Sequence, residues 1–198
     1  MSAREEILRD LRAASYEAPL PQVIASPSKR SGTESLERFV ERAQAVGVEV
    51  IRAETAALSH MVASHAASAG VKSVVVWDDE VLAPVTEALR QVGIAVTDHP
   101  VDADAGITTA DFAIAETGTL VLAASQRRPR ATSLVPPRHI VVLPAQRITD
   151  SLFDLVQQLG ALPSALTFIT GPSRTADIEL TPVRGVHGPV AVTVFITK

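Results

Sequence analysis

The chain contains no cysteine. That excludes disulfides, thiolate metal sites, iron–sulfur ligation through its own sulfur, and cysteine nucleophiles. Any redox chemistry it serves is carried elsewhere or by a bound group, and no cofactor or metal of its own is expected. Long apolar runs are also missing. Although 46% of the 198 residues are hydrophobic, no stretch of about 18 is free of charge, so no membrane span is expected. The opening "MSAREEILRDLRAAS" is charged throughout and lacks the apolar centre of a signal peptide, so the expected location is the cytoplasm. Positive charge is in deficit. A net charge of −4 and a pI near 5.7 give no general attraction to nucleic acid. The phosphate fingerprints are absent too, with neither the Gly-Lys-Thr of a Walker loop nor a G-x-G-x-x-G. His60 and His65 point away from each other on a predicted helix and do not form a metal pair. No internal repeat or low-complexity segment is present.

What is present suffices for one sizeable core. Ile7, Leu8 and Leu11 fall at helical spacing, and "YEAPLPQVIASPSKRSG" (16–32) is a proline-bearing linker, so 1–32 reads as a helical arm and 33–198 as the compact domain. Within the domain, helices are predicted over 33–47, 55–70 and 78–93, the first capped by Thr33 and all three closing on glycine. Short β-branched strands alternate with them at 48–53, 73–77 and 94–99. That alternation predicts a mostly parallel α/β sheet flanked by helices. After residue 106 come "DFAIA", "GTLVLAA" and "RHIVVLP", a helix over 148–160, and strands over 165–170 and 190–197. The hairpins among them predict antiparallel strands attached to the parallel sheet, making it mixed.

Four stretches bear on chemistry. In "ADFAIAETGTLVL" (110–122), Asp111 and Glu116 stand among apolar residues, where an unpaired carboxylate is costly. Thr117, Gly118 and Thr119 form the adjoining turn. Either Glu116 is presented at a strand end beside hydroxyl and amide donors, or it caps neighbouring amides or pairs with an arginine. In "ITGPSRTADIEL" (169–180), a strand runs into Gly171, Ser173, Arg174 and Thr175, with a helix turn expected near Thr175. That is either a cradle for phosphate or carboxylate, or a capping loop. In "VRGVHGPV" (183–190), His187 lies between Gly185 and Gly188. It either contacts an anion or moves a proton, or it bonds to a carbonyl in a turn. The arginine-rich loop "SQRRPRATSLVPPRH" (125–139) either binds an acidic surface or is simply solvated.

Taken together and in order, "GITTADFAIAETGTLVL", "PPRHIVVLP", "GPSRTADIEL" and "VRGVHGPV" resemble the lactate utilization protein C family (LutC/YkgG, the LUD domain). The likeness runs over about 106–198 and extends more loosely before it. It implies a fold like that of the NagB/RpiA/CoA-transferase group. It also implies a cluster-free, accessory role in bacterial L-lactate oxidation to pyruvate, beside iron–sulfur partner proteins. The turn Glu116-Thr117-Gly118 is similar to the Glu-Asn-Gly nucleophile turn of CoA-transferases, with Thr in place of Asn. On this basis the 116–119, 171–175 and 185–188 loops are expected to share one cleft holding a small anionic metabolite. Arg174, Ser173 and Thr175 would grip the anion, with Glu116 and His187 as polar or proton-exchanging groups. The alternatives are a pure interaction subunit, docking by its arm and arginine loop, or an independent transferase or isomerase using Glu116.

Overall fold

The computed structural model describes residues 4–7, 9, 32–159, 163, 165–176, 182–184 and 187–198, with the backbone alone at 175–176 and 182–184. Most of the expected arm 1–32 therefore lies outside the described residues.

Three helix–strand units share one device at their junctions. Helix α1 (Gly32–Ala45) leads to β1 (Glu49–Ala53), α2 (Leu58–Ser68) to β2 (Ser73–Val76), and α3 (Ala83–Gln91) to β3 (Ala95–Val96). Beyond each helix a glycine with positive φ (Gly47, Gly70, Gly93) reverses the chain. The next amide reaches back into the last turn: Val48 N–H to Ala43 O, Val71 to Ala66 and Ile94 to Leu89, each 3.0 Å. Those three apolar residues are buried, completing a Schellman motif that satisfies orphan carbonyls and anchors the strand in the core. Thr33 does not cap the helix as expected, since α1 already begins at Gly32.

The second half supplies β4 (Ala105–Thr109), β5 (Phe112–Ile114), β6 (Thr119–Ala123), the single-turn α4 (Ala131–Leu134), β7 (Arg138–Pro144), β8 (Ile148–Thr149), α5 (Leu152–Gln158), β9 (Leu166–Ile169), β10 (Arg174–Ala176), β11 (Pro182–Arg184) and β12 (Ala191–Thr197). The main sheet has six strands in the order β1-β12-β7-β4-β2-β3, every pairing parallel. Strands β4, β7 and β12 are buried over nearly their whole length, as parallel strands covered on both faces are.

The mostly parallel α/β architecture is as expected, but the antiparallel strands are arranged differently. Instead of extending the parallel sheet, β5, β6 and β9 join β8 in a second four-stranded sheet, β8-β5-β6-β9. Strands β7 and β12, grouped with the hairpins on sequence, occupy the middle of the parallel sheet. Their unbroken apolar runs, "HIVVL" and "VTVFI", suit a strand buried on both faces; loop lengths do not distinguish the two placements. The helix turn expected near Thr175 is also absent. That segment is β10, paired antiparallel with β11.

Candidate functional site

The 116–119 turn rests on α1. Gly118 has φ 67°, and a Cβ there would lie 2.4 Å from the Ala43 backbone nitrogen. Only glycine allows this hairpin to sit directly on the helix. Glu116 is exposed, contrary to the buried setting its apolar neighbours suggested. Its backbone N–H donates to Asp150 O at 3.0 Å. The costly half-buried carboxylate is Asp111, and it is fully partnered, as described below. Thr117 and Thr119 share a hydroxyl hydrogen bond of 2.7 Å, and Thr119 bonds in turn to Thr170 at 2.8 Å. A three-hydroxyl chain thus links the hairpin turn to the end of β9.

The loop after β9 crosses the far end of the same helix. Gly171 lies against Val46, where a Cβ would approach Val46 O to 2.8 Å. Arg174 donates through Nη2 to that carbonyl at 2.9 Å, closing the C-terminus of α1 where a cation is favoured. Ser173 N–H donates to Pro189 O at 2.8 Å, fastening this loop to the one before β12.

Between the two loops is a cavity of about 200 Å³, whose lining includes Thr170, Gly171, Ser173, His187, Gly188 and Val192. Strand β12 starts beside it, and Val190 N–H bonds to Pro137 O just before β7, so the cavity opens at the amino-terminal ends of these parallel strands. Four of the expected residues or their immediate neighbours therefore meet: Gly171, Ser173, His187 and Gly188. Glu116 and Arg174 do not line this cavity. Arg174 is turned onto α1, and Glu116 is exposed, its backbone N–H held by Asp150 O. The Thr175 side chain and Gly185 lie outside the described residues.

The opposite, carboxyl-terminal ends of the strands hold a second polar cluster that sequence reasoning missed. The chain passes outward from β2 to β3 and, beyond β4, the other way to β7. The switch point therefore falls between β2 and β4, where open α/β sheets form a ligand crevice. Here the 125–130 loop lies over it, and cavities of about 340 and 290 Å³ remain beside Asp78 and Asp79. Arg128 bridges Asp79 (2.6 Å) and Asp111 (2.9 Å) and lies 5.6 Å from the Trp77 ring centroid. Thr109 donates to Asp79 at 2.9 Å, the Ala123 amide donates to Asp111 at 2.7 Å, and Trp77 Nε1 donates to Pro129 O at 3.0 Å. Further out, Arg127 grips Asp78 with two bonds of 2.6 and 2.9 Å, and this hydrogen bonding holds the Asp78 carboxyl below its usual range. Two arginines expected to be solvated or to face a partner are instead paired within the chain. The signal was available as "WDDE" directly after a buried strand, opposite "QRRPR".

Between these ends lies a buried imidazole. His139, on β7, is 1% exposed, and burial pushes its pKa down to about 3. Among the described residues no trio of His, Cys, Asp or Glu is arranged to hold a metal, and no helix is long and apolar enough to cross a membrane.

A six-stranded parallel sheet, a small antiparallel sheet laid over α1 and a switch point bridged by an arginine loop define an open α/β domain of particular topology. The chain belongs to the LUD domain family, whose profile matches residues 36–197. It is 32% identical over 145 residues to lactate utilization protein C of Halalkalibacterium halodurans, covering 64% of this chain and 63% of that protein. Against the protein of the same name from an Exiguobacterium species the figures are 41% over 113 residues, 54% and 46%; against that of Shouchella clausii they are 33% over 138 residues, 61% and 60%. The chain thus spans about half to under two thirds of these relatives. A DUF162 family protein from Deinococcus radiodurans has a similar structure, with a TM-score of 0.62 at 23% identity over 85% of this chain and 99% of that one.

Proposed function

We propose that this chain is an accessory component of lactate utilization that binds a small anionic metabolite, lactate or pyruvate, in the cavity between the 170–174 and 187–189 loops. One observation carries the reading: the Thr170 and Ser173 residues and the His187 imidazole line a single cavity of about 200 Å³. That is smaller than the roughly 300–1,000 Å³ of drug-sized sites and suits a three-carbon acid. The names of these relatives, lactate utilization protein C, suggest the metabolite class. In this reading Ser173, Thr170 and His187 hydrogen-bond the carboxylate, while Gly171 and Gly188 leave the backbone accessible. Arg174 adds its charge nearby while closing α1. In this reading electrons from lactate pass to iron–sulfur partner proteins, as the family resemblance implies.

Calorimetry with the full chain tests this. Pyruvate or lactate should bind with measurable heat, and His187→Ala should weaken that binding. No heat at millimolar ligand, with or without the partner proteins, sinks the reading. A second role keeps one supporting observation: Glu116 is exposed on a Thr-Gly turn, open to an acyl substrate. Turnover of an acyl-CoA, lost in Glu116→Gln, would identify a transferase.

A further inference from the structure

The His139 imidazole has no part in the site described so far, and its hydrogen bonding is incomplete. Its Nε2 is bonded to Thr108 Oγ1 at 2.9 Å. Its Nδ1, and the hydroxyl of fully buried Thr132, have no hydrogen-bond partner among the described residues. A buried polar atom without a partner costs on the order of 1–3 kcal/mol, so two near one another call for an explanation.

Sheet register shows that they share one face. Gly106 and Val192 are the direct neighbours of His139 on β4 and β12, so all three project from the same side. Over Gly106 lies Thr132: a Cβ on that glycine would come within 1.8 Å of Thr132 O. On the other flank, Val192 lines the cavity, as does Ser133, which follows Thr132. The imidazole therefore stands one residue behind the cavity wall, between Val192 and the α4 turn.

We propose that His139 Nδ1 and the Thr132 hydroxyl form the inner end of that cavity and receive the uncharged oxygen of a 2-oxo or 2-hydroxy acid. The inference rests on the binding reading above and extends it by assigning an orientation. Both inner groups are neutral, and burial keeps the imidazole so. An anionic group would find no compensating charge there. A carbonyl or hydroxyl oxygen, by contrast, accepts from one partner and, as a hydroxyl, donates to the other. The carboxylate stays at the mouth with Ser173 and His187. Entry requires the Val192 or Leu134 side chain to rotate aside.

The test uses the full chain labelled with 15N-histidine and titrated with sodium pyruvate and sodium lactate, the His139 signals being assigned by their loss in His139→Gln. The expected result is a saturable shift of both His139 and His187 signals. Thr132→Val should abolish the His139 shift, preserve that of His187, and weaken pyruvate binding about tenfold. Thr132→Ser should restore it. If the valine variant does not fold, the wild-type titration alone decides. A response from His187 without one from His139 overturns this inference, the cluster then holding only water, and leaves the binding reading intact. Silence from both removes the two together.

Discussion

The two ends of the parallel sheet are finished in opposite ways. At the carboxyl ends, where open α/β domains normally receive ligands, opposite charges meet inside the chain: Arg128 spans Asp79 and Asp111, and Arg127 covers Asp78. At the amino ends the groups are hydroxyls, glycines and an imidazole around a cavity, with no such ion-pair network among the described residues. A saturated charge network holds a loop in place, whereas hydroxyl and imidazole groups with bonding capacity to spare can accept a guest. Both ends keep cavities; the difference teaches that the pairing of polar groups, not the presence of a crevice, sets what each end can offer a ligand.

The largest effect should come from breaking the charged end. Removing Arg128 strands two largely buried carboxylates, the Asp79 side chain being only 7% exposed, and such a loss typically costs about 3–5 kcal/mol. Urea unfolding of Arg128→Met should show it, and an unchanged midpoint would mean that the loop does not depend on the clamp. Next in size is the acid response of the interior. His139 titrates near 3 when folded and near 6.5 when exposed. The unfolded chain therefore binds the extra proton between those values, so stability is complete above pH 6.5 and is lost as pH falls toward 3. From pH 6.5 to 5 the loss should be about 2 kcal/mol at 1.36 kcal/mol per unit. His139→Gln should flatten that part of the curve; a parallel decline in both proteins would place the acid sensitivity elsewhere.

A smaller effect sharpens the amino end. Thr119→Val removes the centre of the hydroxyl chain joining the 116–119 turn to Thr170. It should cost roughly 1 kcal/mol and weaken ligand binding modestly by loosening Thr170; full-strength binding would disconnect the turn from the cavity. The smallest change belongs to Arg127→Ala. Both partners of that pair are 67% exposed, so water screens the attraction. No resolvable shift in the unfolding midpoint is expected, in contrast to Arg128.

Several of these features could be read directly from the letters. Helices closing at Gly47, Gly70 and Gly93, each followed by an apolar strand, are local statements, because a Schellman turn involves residues within one stretch of chain. The family likeness was equally legible, resting on the order of short motifs. The site was legible only in part. Gly171, Ser173, His187 and Gly188 were marked by their residue types, and they do meet. Glu116 and Arg174 were marked by the same reasoning, yet one faces solvent and the other closes a helix. The fate of an arginine depends on which carbonyl or carboxylate stands within 3 Å, and Val46 is far from Arg174 in sequence.

Sequence alone determined most of the periodic elements, the glycines that close the first three helices and the lack of any thiolate ligand, because those properties depend on neighbours along the chain or on residue identity. Only the tertiary structure decided that β7 and β12 enter the middle of the parallel sheet, that Arg128 bridges Asp79 and Asp111 at the switch point, and that His139 stands behind the cavity wall beneath Thr132. Each of these is a pairing between segments distant in the chain. Register and burial set such pairings, and neither is written in any one stretch of residues.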